Sequence, residues 1–293
     1  MIEGKKWLDC HVPSLKGKRV LLTGGTSGLG FQAARQLLYK GALLTIACRS
    51  ETKAARCREN LLKEFSNAEV SFVFYDQSSP ESIVNVVKEL EGQEFFSIVL
   101  NAGLFNPPKA YSVCPDGTSM VFMTNAVGTY LLFKGLSKSH AGSRFVFVSS
   151  LASRYPRKGD YSAFIGKSPR GTFLRYGVSK RAIMAIYENA FEKTALDVTI
   201  MSPGIARTEI IRGYQKWFQR LAAGFMSVFF HPAWKGALGI TYLASGEGPR
   251  GAYAAPDDWL RIDGFPHLYP PPHKKSAKGA QELIDLLHQT YGV

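Results

Sequence analysis

The chain has 293 residues, 45% hydrophobic and 20% charged, ample material for the core of one large α/β domain or two ordinary ones. No stretch approaches ~18 uninterrupted apolar residues; the longest, "LAAGFMSVFF" at 221–230, is too short to span a bilayer, so no transmembrane helix is expected. The formal net charge of +13 admits anionic partners, but the basic residues are dispersed beyond modest clusters in "SRYPRKGD" and "HKKSAKG", with no base-reading helix and no zinc spacing, so neither nucleic acid nor metal is expected.

Short apolar runs alternate with helical patterns. "RVLLTGG" (19–25) reads as a buried strand ending in glycines, and "FQAARQLLYKG" (31–41) has helical spacing up to Gly41. "ALLTIACR" (42–49) is a second strand and "ETKAARCRENLLKEF" (51–65) a charged amphipathic helix. "VSFVFYD" (70–76) is a third strand, followed by a helix over 79–90 that opens with Ser79 and Pro80. "FFSIVLNAG" (95–103) predicts the fourth strand, 118–138 a long helix, "RFVFVSS" (144–150) the fifth strand, 176–194 another long helix and "DVTIMSPG" (197–204) the sixth strand. "GAYAAP" (251–256) is the seventh; the Pro-rich "FPHLYPPPHKK" (265–275) reads as a loop closing over the sheet end, and "AQELIDLLHQTYGV" as a last helix.

Strands that are apolar throughout, separated by helices, imply a parallel sheet covered on both faces. Right-handed crossovers wind it into a Rossmann-like, doubly wound, seven-stranded α/β domain spanning 1–293, with no linker or internal repeat. Cys10, Cys48, Cys57 and Cys114 are scattered without CxxC spacing, and "MIEGKKWLDCHVP" lacks an apolar signal core, so reduced thiols in the cytoplasm are expected.

The first strand runs into "TGGTSGLG" (23–30) and a helix follows at once. Glycines there let a backbone approach a dinucleotide pyrophosphate, and the helix N-terminus offers unpaired N–H groups. Gly24, Thr26, Ser27, Gly28, Leu29 and Gly30 are the candidate cradle. The end of the second strand lies beside the adenosine ribose in such folds. It carries Arg49, whose planar fork suits a 2′-phosphate, so NADP(H) is expected over NAD(H); Glu51 is the alternative, an acid for a free 2′-hydroxyl.

In "RYGVSK" (175–180), Tyr176 and Lys180 stand one helical turn apart on one face. With "TGGTSGLG", "YDQSS", "NAG", "FMTNAVGTYLL", "VFVSS" and "SPGIART" in order, the chain resembles the short-chain dehydrogenase/reductase family, in its retinol-dehydrogenase-like branch. The resemblance covers roughly the first three quarters of the chain. It implies that Asp76 holds the adenine, that Asn101, with Ala102 and Gly103, steadies the central sheet beside the cofactor, and that Asn125 orders a relay water. Ser150 would bond the substrate oxygen, and Pro203, Gly204 and Thr208 would pack near the nicotinamide. The Ser150–Tyr176 separation is about twice the usual one, and the excess, 151–174, reads as an inserted loop. Ser149 is the alternative serine if the register slips by one; Tyr161 is a rival tyrosine with isoleucine, not lysine, four places on.

A carbonyl receiving hydride needs a proton donor at oxygen. A free phenol, with a pKa of about 10, is a poor acid–base group at neutral pH. Lys180 and the oxidised nicotinamide, both cationic, are expected to lower that value together, and Lys180 also to hold the nicotinamide ribose. Ser150 would orient the carbonyl. The activity implied is NADPH-dependent interconversion of a carbonyl and an alcohol; the alternative is a non-catalytic NADPH-binding sensor or scaffold.

After the sixth strand, 208–234 is expected to cover the substrate. Ile210, Tyr214, Trp217, Leu221 and Phe225 form an apolar stripe there, and Arg212, Lys216 and Arg220 a basic one. The stripe fits an apolar substrate and a peripheral membrane contact through 209–230, or simply core or a subunit contact. Homodimer and homotetramer both stay open.

Overall fold

The computed structural model describes residues 2–107, 112–154, 161, 171–204, 206–207, 231–270 and 277–291. Its strands are β1 Arg19–Thr23, β2 Leu43–Cys48, β3 Val70–Phe74, β4 Ser97–Leu100, β5 Arg144–Val148, β6 Val198–Met201, β7 Ala206–Arg207, β8 His231–Pro232, β9 Tyr253–Pro256 and β10 Pro266–Tyr269. Helices are α1 Lys5–His11, α2 Gly28–Tyr39, α3 Glu51–Glu64, α4 Pro80–Leu90, α5 Met120–Phe122, α6 Gly128–Ser139, α7 Thr172–Lys193, α8 Ala233–Ala244 and α9 Ala277–Tyr291.

Among the described residues the main sheet has eight strands, in the order β10-β9-β6-β5-β4-β1-β2-β3, and β7 pairs with β8 in a small parallel ladder. The seven-strand expectation is therefore corrected by one. The Pro-rich stretch read as a loop contributes β10, antiparallel to β9, with Pro266 opposite Pro256. Proline is tolerated there because an edge strand can do without one ladder donor at its first residue. The other seven strands of the sheet are parallel, as the continuous apolar runs implied.

Strands β4, β5 and β6 are buried at every position. One face packs Ile83, Val86 and Leu90 of α4, Tyr130 and Leu132 of α6, Ile183 and Ile186 of α7 and Leu283 and Leu287 of α9. The other packs Ala33 and Leu37 of α2, Cys57 and Leu61 of α3 and Ile240 and Leu243 of α8. Each fully buried Leu, Ile or Phe contributes roughly 1.5–3 kcal/mol of transfer free energy, so the two layers commit the sheet to a double covering. Ser79 and Ser50 cap α4 and α3, accepting bonds from Ser82 N and Lys53 N at 3.2 and 3.3 Å.

Two local departures bear on function. The long helix expected over 118–138 is broken by a π-helical turn at Met123–Val127, between α5 and α6. The inserted segment is not all loop: Leu151–Arg154 forms a 3₁₀ turn, and α7 begins at Thr172, a full turn before Tyr176. Residues 208–230, with Thr208 and the membrane-contact stretch, lie outside the described residues. Among the described residues, no helix is long and apolar enough to cross a membrane.

Candidate active site

The strand order reverses between β1 and β4, so their carboxyl ends flank the crevice where doubly wound sheets bind ligands. Thr23 Oγ1 closes the floor of that crevice. It donates to Val99 O at 3.2 Å and accepts from Asn101 N and Ala102 N, both at 2.9 Å. Asn101 Nδ2 returns to Thr23 O at 2.8 Å and Gly24 O at 3.3 Å, tying the two turns together.

The glycine loop is shaped by contacts no side chain could share. Gly24 and Gly28 have φ of +67° and +53°. A Cβ on Gly30 would lie 2.2 Å from Gly24 O and 2.6 Å from Asn101 Nδ2. Helix α2 can therefore start directly over the turn. Ser27 caps it through its backbone, with Phe31 N reaching Ser27 O at 3.1 Å and no side-chain capping bond. Its first N–H groups and the positive end of its dipole remain for an anion, and this backbone cradle fits a dinucleotide pyrophosphate. Just past the carboxyl ends of β2 and β3, Arg49, with a side chain 75% exposed, lies 3.6 Å from Asp76 Oδ2. Asp76 Oδ1 accepts from Ser78 N and Oγ at 2.8 and 2.6 Å.

At the other end, Asn125 is fully buried in the π turn. Its Oδ1 accepts from Leu104 N at 2.6 Å; its Nδ2 donates to Leu104 O at 2.8 Å and to Ser179 Oγ at 2.9 Å. Ser179 Oγ in turn donates to Tyr176 O at 2.7 Å. Gly103 marks the convergence: a Cβ there would stand 3.3 Å from Asn125 Oδ1 and 3.4 Å from Lys180 Nζ. Tyr176 and Lys180 are both buried, and Lys180 Nζ lies 5.8 Å from the Tyr176 ring centre.

Ser150, not Ser149, meets the phenol. Ser149 Oγ donates to Lys180 O at 3.1 Å and braces α7 on β5, whereas the Ser150 side chain faces the Tyr176 phenol and favours its ionised form. Tyr161 is core: it packs against Phe122 and bonds Arg181. Gly204, with φ of +73°, and Pro203 follow β6 at the same edge of the sheet.

The expected lowering of the phenol is not produced by the protein alone. Burial pushes Tyr176 up to about 12, with the Ser150 side chain pulling the other way. The Lys180 ammonium donates to Val148 O at 3.0 Å, and burial brings it down to about 8. An unfolded lysine keeps its proton above that point, so between pH 8 and 10 the unfolded chain binds more protons and stability rises with pH. Tyr176 works in the opposite sense above pH 10, where only the folded chain still holds the phenol proton. Urea unfolding of the cofactor-free protein should therefore show it gaining on the order of 2–3 kcal/mol relative to Lys180→Met from pH 8 to 10. Parallel curves would exclude a buried, neutralising lysine.

Sequence reasoning missed Thr23, Ser179 and Gln77. Thr23 and Ser179 lie within motifs already singled out, immediately before Gly24 and Lys180. Gln77 follows Asp76 in "YDQSS"; a polar residue just past a buried strand was the available signal.

Fold and crevice together define a dinucleotide-binding α/β protein with a tyrosine–lysine centre. The sequence matches the short chain dehydrogenase family over residues 18–219, and the chain belongs to it. Retinol dehydrogenase 14 of Mus musculus is 32% identical over 264 residues, covering 82% of this chain and 78% of that one. An uncharacterized oxidoreductase of Schizosaccharomyces pombe is 30% identical over 225 residues, covering 71% and 66%. In fold, the chain is similar to an uncharacterized protein from Mycobacterium paratuberculosis, with a TM-score of 0.75, 24% identity and coverage of 96% and 95%. It is also similar to L-sorbose reductase from Gluconobacter frateurii, solved with NADPH and L-sorbose, at a TM-score of 0.62, 17% identity and coverage of 80% and 93%. The chain is thus a nicotinamide-dependent oxidoreductase acting on CH–OH or C=O groups of small molecules, with kinship to the retinol-dehydrogenase branch.

Proposed function

We propose that this protein is an NADP(H)-dependent carbonyl–alcohol oxidoreductase in which Tyr176 exchanges the proton, acting on a predominantly apolar substrate. The observation that carries this reading is the burial of Tyr176, Lys180 and Asn125 at one point beside the glycine loop, with Ser150 on the phenol. The bound cofactor supplies or accepts the hydride. Gly24, Thr26, Ser27, Gly28, Leu29 and Gly30 hold its pyrophosphate, Asp76 its adenine, and Asn101, Ala102 and Gly103 line its path. Lys180 holds the nicotinamide ribose, and Pro203, Gly204 and Thr208 border the ring.

Ser150 orients the substrate oxygen against the phenol, and Tyr176 gives or takes the proton there. A buried phenol raised to about 12 keeps its proton until a neighbouring cation favours phenolate. Leu104 O and Asn125 lead from that point toward Lys180 and hold the relay in place. An apolar substrate is supported by Phe105, Val121 and Ala152, which pack with Tyr176 in one buried cluster; the Phe105 ring stands edge-on to it at 5.0 Å.

NADPH oxidation followed at 340 nm against aldehydes, ketones and quinones tests the reading. Turnover of apolar carbonyls is expected. NADPH binding without turnover across the whole panel would instead favour the non-catalytic sensor.

The exposed Arg49 beside Asp76 is the basis for NADP(H) preference. Arg49→Asp removes a charge-assisted phosphate contact and adds repulsion, so NADPH affinity is expected to fall about tenfold or more while NADH affinity holds or rises. Fluorescence titration with both cofactors measures this, and an unchanged preference discards the assignment.

A further inference from the structure

Gln77 is buried at 7% exposure, just past the end of β3 and next to Asp76. Its side chain bonds three separate pieces of the crevice wall. Nε2 donates to Thr124 O at 2.7 Å, to Thr129 Oγ1 at 3.1 Å and to Ala102 O at 3.3 Å. Oε1 accepts from Tyr75 OH. The backbone is engaged too: a Cβ on Gly128 would lie 2.0 Å from Gln77 O, so α6 is seated directly on this residue.

The bond to Thr124 O has a specific consequence. In an α-helix Thr124 O would accept from the N–H four residues on, that of Gly128. In the π turn Gly128 N–H reaches back five residues instead, to Met123 O. Gln77 Nε2 supplies a donor to the carbonyl that Gly128 has left. A π turn is rare and is found frequently at functional sites. Here the next residue is Asn125, whose amide grips Leu104 on both its N–H and its C=O.

We infer that Gln77 is a positioning residue for the reaction, a clamp that holds the π turn and the Ala102 carbonyl together and so fixes Asn125 and Leu104 beside Lys180. This rests on the proposed reading of the site and deepens it. Asp76 serves the adenosine end and Gln77 the proton-relay end, so one short turn after β3 sets both. Gln77 touches neither substrate nor cofactor in this account and acts through Asn125.

The test uses the full chain with NADPH and any carbonyl the panel identifies. Gln77→Leu removes the amide and is expected to lower kcat by about tenfold, a fraction of what a proton-transfer group contributes. The KM for substrate and the NADPH affinity, read separately by fluorescence, stay within about twofold of the parent. The same substitution in an Asn125→Ala background has little further effect, because the group it positions is gone. Gln77→Glu keeps the shape and turns the donor into an acceptor facing two carbonyls. Only its protonated form can donate to Thr124 O, so its kcat relative to the parent rises as pH falls. It also serves if Gln77→Leu does not fold.

Additive losses in the double variant, a pH-independent Gln77→Glu deficit, or a loss confined to NADPH affinity would each overturn the clamp. Should Tyr176→Phe and Asn125→Ala leave turnover intact, it is the reading of the site that fails. Should they abolish it while Gln77→Leu does not change kcat, only the clamp fails.

Discussion

Tyr176→Phe is expected to lower kcat/KM for carbonyl reduction by about 10²–10⁴-fold while leaving NADPH affinity within about a factor of two. The change removes one oxygen. The ring stays packed against Phe105, Val121 and Ala152, so the fold has no reason to move. What disappears is the hydroxyl that the Ser150 side chain faces. Ser150 and Lys180 remain, and neither replaces it: the serine hydroxyl is a far weaker acid, and the lysine ammonium is directed at Val148 O. Initial rates, with fluorescence titration of NADPH alongside, separate loss of chemistry from loss of binding. Turnover retained near the parent level would end the assignment of Tyr176 as the proton donor, and with it the enzymatic reading built on this pair.

Gly30→Ala is expected to abolish measurable NADPH binding and to destabilise the protein by about 1–3 kcal/mol, the usual range for an overpacked site. Its methyl would meet Gly24 O at 2.2 Å and Asn101 Nδ2 at 2.6 Å. The first is backbone. The second is the amide that links the ends of β1 and β4, so neither can yield without moving the crevice floor. The helix N-terminus must then lift away from the turn it closes, taking its N–H groups with it. Gly142→Ala is the control, because a Cβ there has nothing within 4 Å. Thermal unfolding and a dinucleotide titration on both variants make the comparison. Affinity preserved in Gly30→Ala would mean that the cradle lies elsewhere.

These expectations draw on two kinds of information that differ in how they were legible. The resemblance pointed to Asn101 in "NAG"; which atoms its amide joins, Thr23 O and Gly24 O, is a matter of packing between β1 and β4. The choice of Ser150 over Ser149 was open in the sequence, since adjacent residues of an extended strand point to opposite faces and a slip of one exchanges them. Only packing of α7 on β5 shows that Ser149 Oγ is engaged with Lys180 O. β10 escaped notice because prolines signal loops locally, yet an edge position makes them harmless. The phenol's raised pKa also escaped notice. Spacing shows that a cation lies one turn away, but not that burial outweighs it or that a carbonyl holds the ammonium.

By itself the sequence determined what local patterns encode: the parallel core strands, the helices between them, the glycine turn before α2, and the pairing of Tyr176 with Lys180 on one helical face. Hydrophobic period, glycine placement and the 3.6-residue turn act over a few residues and leave a readable trace. Only the tertiary structure decided the π turn, the grip of Gln77 on Thr124 and Ala102, and the protonation tendencies of the buried pair. Those depend on partners far apart in the chain and on how completely water is excluded, and both are properties of the packed whole.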